Sequence, residues 1–143
     1  KNIDIIISLH SIYYVSIDSL KSILNNSTIP IGTKFIIVCF DSDRFGSNFR
    51  FGDKNLHIEI KDSDGPNEIC QKEMLFFYNW NNNSNHKHNI ISISKLTQFM
   101  YRENWALNKL NYSDEINFLE NEVLESKYIQ FGETIAFTEF EKF

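Results

Sequence analysis

The chain has 143 residues, 42% of them hydrophobic and 15% aromatic, with a formal net charge of −5. That is long enough to bury a core without a metal or disulfide staple. Cys39 and Cys70, an isolated pair with no CxxC, exclude a disulfide framework and argue for a reducing compartment. The charge is uneven. Residues 1–111 carry 12 basic and 11 acidic side chains, whereas residues 112–143 carry 8 acidic against 2 basic ones. An acidic surplus of this kind excludes nucleic acid as a direct ligand, because phosphate binding needs a basic surface.

Ile3-Asp4-Ile5-Ile6-Ile7-Ser8-Leu9 reads as a first, mostly buried strand. The apolar run from Ile3 to Ile17 is interrupted by Asp4 and His10 and lacks a cleavage pattern, so it reads as neither signal peptide nor membrane span. The chain opens on Lys1 rather than Met, which fits removal of a residue or a presequence. Ser16 or Asp18 can cap a helix with Ile17, Leu20, Ile23 and Leu24 on one face. After a turn at Ile29-Pro30-Ile31-Gly32 comes the strongest apolar run, Phe35 to Phe40, read as a strand buried on both faces that ends in Asp41-Ser42-Asp43. This opening is β-α-β and predicts a parallel pair of strands.

Phe49 and Phe51 alternate with polar residues, and Leu56 to Lys61 alternates cleanly, so the two segments form a hairpin across Gly52-Asp53-Lys54-Asn55. Asp62-Ser63-Asp64-Gly65-Pro66 reads as the start of a helix that carries Ile69, Cys70, Met74, Phe77 and Tyr78 along one side and ends near Trp80. Asn81 to Asn89 is a polar loop and Ile90 to Ile93 a short strand. Ser94 caps a further helix with Leu96, Phe99, Met100, Ala106, Leu107 and Leu110 inward, and Ser113 caps another through Ile116, Leu119, Val123 and Leu124. Tyr128 to Phe131 and Thr134 to Thr138 close the chain as a hairpin about Gly132-Glu133. The fold class expected is α+β (α/β sandwich-like). It is a single globular domain over 1–143, with one mixed, mostly antiparallel sheet of about five or six strands and three to four helices.

Asp41 and Asp43, two carboxylates at i and i+2 after a buried strand, have the spacing to hold Mg²⁺ or Mn²⁺ beside a nucleotide phosphate. The order strand, helix, strand, Asp-x-Asp over roughly the first 45 residues resembles the opening of nucleotide-sugar-dependent glycosyltransferases. That resemblance implies a small metal-dependent transferase or hydrolase using Asp41 and Asp43. The plain alternative is a solvated strand end. His86-x-His88 lacks further ligands nearby. Cys70, at the expected helix start, has His10 and His57 as conceivable bases. The sequence contains no G-x-S-x-G, P-loop, G-x-G-x-x-G or H-E-x-x-H motif.

The acidic tail is the remaining feature. Asp114, Glu115, Glu120, Glu122 and Glu125, with Tyr128 among them, combine a single-signed field with an aromatic anchor, which is how interfaces are built. The leading expectation is therefore a small, cytoplasmic, non-enzymatic protein of the immunity or antitoxin type. It would cover the active site of a basic toxin domain such as a nuclease, without cofactor, metal or membrane, and as a homo-oligomer if the same face pairs copies.

Overall fold

The computed structural model describes residues 4–9, 11–12, 15–45, 49–52, 55–63, 68–78, 86–113 and 134–143. Among them are β1 (Ile5–Leu9), α1 (Ile17–Leu24), β2 (Lys34–Phe40), β3 (Phe49–Gly52), β4 (Leu56–Asp62), β5 (Cys70–Tyr78), β6 (His86–Ile91), α2 (Ile93–Arg102), β7 (Trp105–Ser113) and β8 (Ile135–Lys142), with a 3-10 turn at Ser42–Arg44. The class is α+β with mixed pairing. Its strands form two four-stranded sheets, ordered β1-β2-β8-β7 and β3-β4-β5-β6. The expected five or six strands in one sheet and three to four helices thus become eight strands in two sheets and two α-helices among the described residues.

The opening is β-α-β, and β1 runs parallel to β2, with Ile5 opposite Lys34 and Leu9 opposite Val38. Ser16 caps α1, its side chain accepting from Ser19 N, and Leu20 and Leu24 are buried. Gly32, at φ 93°, takes the left-handed turn into β2, a conformation glycine adopts without steric cost. Along β2 every second residue (Phe35, Ile37, Cys39) is buried and the others are half-buried, so one face is covered more fully than the other. β8 lies antiparallel between β2 and β7, and β1, β2 and β7 therefore all run the same way and end at one edge.

The main core joins the first sheet to the two helices: Leu20 and Leu24 of α1, Phe35, Ile37 and Cys39 of β2, Leu96, Phe99 and Met100 of α2, with Trp105 and Phe140. Each large apolar side chain buried there contributes about 1.5–3 kcal/mol. Trp105 locks the layers together, stacking edge-on to Phe35 at 5.9 Å and donating its indole N–H to Leu24 O at 3.1 Å. The second sheet is an antiparallel meander with its own small cluster of Phe45, Ile60, Met74 and Ile90.

Three sequence readings are corrected. Ile5, Ile7 and Leu9 are exposed, so the first strand is buried on one side only. Cys70 to Tyr78 is a strand, not a helix: it pairs with β4 and β6 on both sides, and its aromatic run suits a pleated surface. The helix expected to run through Leu110 stops at Arg102, because Asn104 takes a left-handed φ of 68° and turns the chain into β7. The helix expected from Ser113 through Leu124 and the strand expected at Tyr128–Phe131 lie outside the described residues. Thr134 to Thr138 belongs to a longer strand whose partners are β2 and β7. Among the described residues no helix is long and apolar enough to cross a membrane.

Candidate functional site

The parallel strands β1, β2 and β7 end at one edge, and open sheets with parallel strands gather ligands beyond such carboxyl ends. At the end of β2 the apolar run gives way to Asp41, whose N–H donates to Thr134 O at 2.8 Å and whose backbone bridges Ile91 at the end of β6. Asp41 is therefore the joint between the two sheets.

Its side chain is 2% exposed and fully employed. Oδ1 accepts from Asp43 N at 2.9 Å, which closes the 3-10 turn, and from Ile93 N at 3.1 Å in the first turn of α2. Oδ2 accepts from the Tyr112 hydroxyl at 2.6 Å. Asp43 completes the arrangement, its Oδ2 accepting from Ser92 Oγ at 2.8 Å and Ser94 N at 3.3 Å. Helix N-termini favour negative charge through their free N–H groups and dipole. Here the protein's own two carboxylates fill that position.

Around this joint stand Tyr112, Arg44 and Ser42. The Arg44 guanidinium lies 3.6 Å from the centre of the Tyr112 ring, a cation–π stack. Burial, and then the hydrogen bond to the Asp41 carboxylate, push the Tyr112 hydroxyl above its usual pKa, so it stays protonated and donating at neutral pH. Ser42 is 1% exposed and its Oγ has no hydrogen-bond partner among the described residues. One residue before Asp41's strand ends, burial, followed by the nearby Asp41 charge, pushes the Cys39 thiol up to about 12 and keeps it an inert hydrophobe. At the end of β1, Ser8 Oγ and Ser11 Oγ lie 2.9 Å apart.

Asp41 and Asp43, singled out from the sequence as a metal pair, are thus brought together around the N-terminus of α2. Among the described residues no group of three or more His, Cys, Asp and Glu is placed to hold a metal ion. The tail residues Asp114, Glu115, Glu120, Glu122, Glu125 and Tyr128 lie outside the described residues, as does His10. Cys70 sits buried at the start of a strand, so the expected helix terminus that would have favoured its thiolate is replaced by an apolar setting. His57 stacks on Phe77 at 4.6 Å and lies 3.2 Å from Glu59, and His88 packs its ring against Phe76. Ser92 and Arg44 escaped the sequence reading, as did the place of Tyr112 at Asp41. The signal for Tyr112 was available in the alternation of residues 105–113, which a helical assignment hid.

The sequence matches no protein-family model and no curated protein. In fold the chain is similar to the glycopeptide N-methyltransferase MtfA, solved with S-adenosyl-L-methionine, at 8% identity and a TM-score of 0.53 over 99% of this chain and 55% of that one. It is likewise similar to the CcbJ methyltransferase from Streptomyces caelestis, at 6% identity and a TM-score of 0.52 over 98% of this chain and 61% of that one. The chain therefore spans little more than half the length of the structures it matches. These neighbours correct the expectations of an immunity-type toxin inhibitor, of a non-enzymatic binding protein with a basic toxin partner, and of a glycosyltransferase-like enzyme. The fold likeness is to methyltransferases instead.

S-adenosylmethionine is a sulfonium cation with a ribose diol and an amino-acid tail, which call for free carboxylate and carbonyl acceptors. Asp41 does not fit it, being buried and already accepting three hydrogen bonds from the protein, whereas Asp43 is exposed and accepts its two at Oδ2.

Proposed function

We propose that this chain is part of a methyltransferase that uses S-adenosylmethionine, and that it supplies the acceptor-side surface at the carboxyl ends of β1, β2 and β7. The observation that supports this reading is the fold likeness to two methyltransferases over 98–99% of the chain. The acceptor in this reading is a small molecule. Arg44 and Tyr112 are the groups at the strand ends that would orient it: a cation stacked on a phenol whose hydroxyl hydrogen is committed to Asp41.

No step of methyl transfer is assigned to these residues, and the buried Asp41 carboxylate is engaged within the chain. The cofactor-binding groups would come from the remainder of an enzyme of the neighbours' length. Titration calorimetry with S-adenosylmethionine tests the reading on two samples: the purified 143-residue chain, and the native assembly that contains it. The native assembly is expected to bind the cofactor and the isolated chain to bind at least about a hundredfold more weakly. A native assembly that does not bind it would show that the function lies elsewhere.

A further inference from the structure

The 3-10 turn Ser42–Arg44 carries the chain from the first sheet to the second and is held at both of its ends. Phe40 before it and Phe45 after it lie ring to ring at 6.3 Å, and both pack into the small cluster of the second sheet. Within the turn Asp41 Oδ1 accepts from Asp43 N, while Arg44 N and Phe45 N donate to Asp41 O and Ser42 O at 3.1 and 3.2 Å. Asp43 Oδ2 ties the same turn to α2 through Ser92 Oγ and Ser94 N. These bonds set the backbone from which the Arg44 side chain departs.

That side chain is exposed and lies along Tyr112. Its guanidinium is 3.6 Å from the ring centre, and the Tyr112 hydroxyl is itself anchored 2.6 Å from Asp41 Oδ2. A guanidinium laid on an aromatic ring has less freedom to lose when it binds a ligand. Its N–H donors lie in its own plane, so the stacked face leaves the donor edge to other partners. Asp41 and Asp43 are close by, but their charge is met by backbone N–H groups, two hydroxyls and the N-terminus of α2. A planar fork of donors matches the paired oxygens of a carboxylate or phosphate, which the point charge of a lysine does not. The fork stands just beyond the carboxyl end of β2, at the edge where ligands gather.

We propose that the molecule held at this edge carries a carboxylate or phosphate group, and that Arg44, laid on Tyr112, is the residue that recognises it. Calling that molecule the methyl acceptor rests on the methyltransferase reading above; the anion contact does not. Esterifying or amidating the acidic group removes the charged partner of the fork, so such analogues are discriminated against.

The test is a titration of the purified 143-residue chain, isotope-labelled at arginine and phenylalanine, following the Arg44 Nε–H and the Phe45 amide. The probes are benzoate, phenyl phosphate and uncharged benzamide, each at constant ionic strength. Benzoate or phenyl phosphate should shift both resonances saturably, the tighter of the two naming the acidic group, and benzamide should not. Arg44→Lys keeps the charge and removes the fork; it should weaken binding, read at Phe45, at least about tenfold. Tyr112→Leu removes the platform and should weaken it about two- to fivefold. Unchanged amide exchange in β2 and β8 verifies that a variant is folded, and Arg44→Lys decides alone if the Tyr112 variant is not. No saturable shift with either anion, an equal response to benzamide, or unchanged affinity in Arg44→Lys overturns the proposal. Anion binding at Arg44 together with a native assembly that fails to bind S-adenosylmethionine in the calorimetry above would remove the methyltransferase reading and leave the anion site standing. Cofactor binding without anion binding would do the reverse.

Discussion

Asp41 shows how one residue can organise a site without being free to react. Three donors converge on a carboxylate that is 2% exposed: Asp43 N, Ile93 N and the Tyr112 hydroxyl. Removing the acceptor strands those donors, and hydrogen bonds to charged groups contribute about 1.5–3 kcal/mol each at most when counted singly. Asp41→Ala is therefore expected to destabilise the chain by about 3 kcal/mol in urea titrations. Tyr112→Phe, which deletes one of the three bonds, should cost about 1–2 kcal/mol, and the double variant should cost less than the two together. Cys39, two residues upstream, makes a pH prediction. Its thiol holds its proton more tightly in the fold, with a pKa of about 12 against 9.0. The unfolded chain then loses its proton first, so stability is unaffected below pH 9 and falls as pH rises from 9 towards 12. The slope from this residue is about 1.4 kcal/mol per pH unit. Tyr112, raised above 10.0, acts in the same direction at the upper end of that range. Cys39→Ala should flatten the slope between pH 9 and 10 by about one proton. The acids were visible in the sequence because they follow an apolar run directly. Their donors were not, since Tyr112 lies 71 positions and Ser92 49 positions away from the carboxylates they meet.

At the level of the element, α2 separates two readings of its start. The sequence offers Ser94 as the cap and places Ser92 in the preceding strand, whereas the cap is Ser92. In the fold Ser92 has the extended backbone of an N-cap, its Oγ accepts from Lys95 N and it donates to Asp43 Oδ2. Ser94 is exposed and contributes its backbone N–H to Asp43. Ser92→Ala should lower stability by about 1–2 kcal/mol, and Ser94→Ala by less than about 0.5 kcal/mol, in the same urea titrations. The helix itself was legible, because Leu96, Phe99 and Met100 keep the helical period. Its end was not. Leu107 and Leu110 continue that period by coincidence, and a single left-handed residue, Asn104, decides that they belong to a strand. β5 was misread for a related reason. Cys70, Met74 and Phe77 fit a helical spacing, although in the strand Met74 and Phe77 fall on opposite faces, and only pairing with β4 and β6 selects the strand.

Across the molecule the two sheets differ in how much core they own. The first is backed by both helices and holds Trp105, Phe99, Phe140, Leu20 and Leu24 nearly inaccessible to water. The second is held by Phe45, Ile60, Met74 and Ile90, with Phe40, Ile58 and Phe76 packed against them. Among the described residues its ties to the first sheet include the Asp41–Ile91 bridge and the Asp41 and Asp43 carboxylates on the N-terminus of α2, with Cys70 and Ile91 buried in the main core and Phe40 of β2 packed on the small cluster. Segments with little buried apolar surface open at lower free energy than the global transition. The amides of β4 and β5 are therefore expected to exchange through a sub-global opening, about a hundredfold faster than those of β2 and β8. Met74→Ala, which empties the centre of the smaller cluster, should lower its opening free energy by about 2–3 kcal/mol. The same substitution should leave exchange in β2 and β8 nearly unchanged as long as the small cluster opens by itself. If the variant accelerates exchange in all four strands equally, the two sheets unfold as one unit, and the joint at Asp41 transmits the loss from one core to the other.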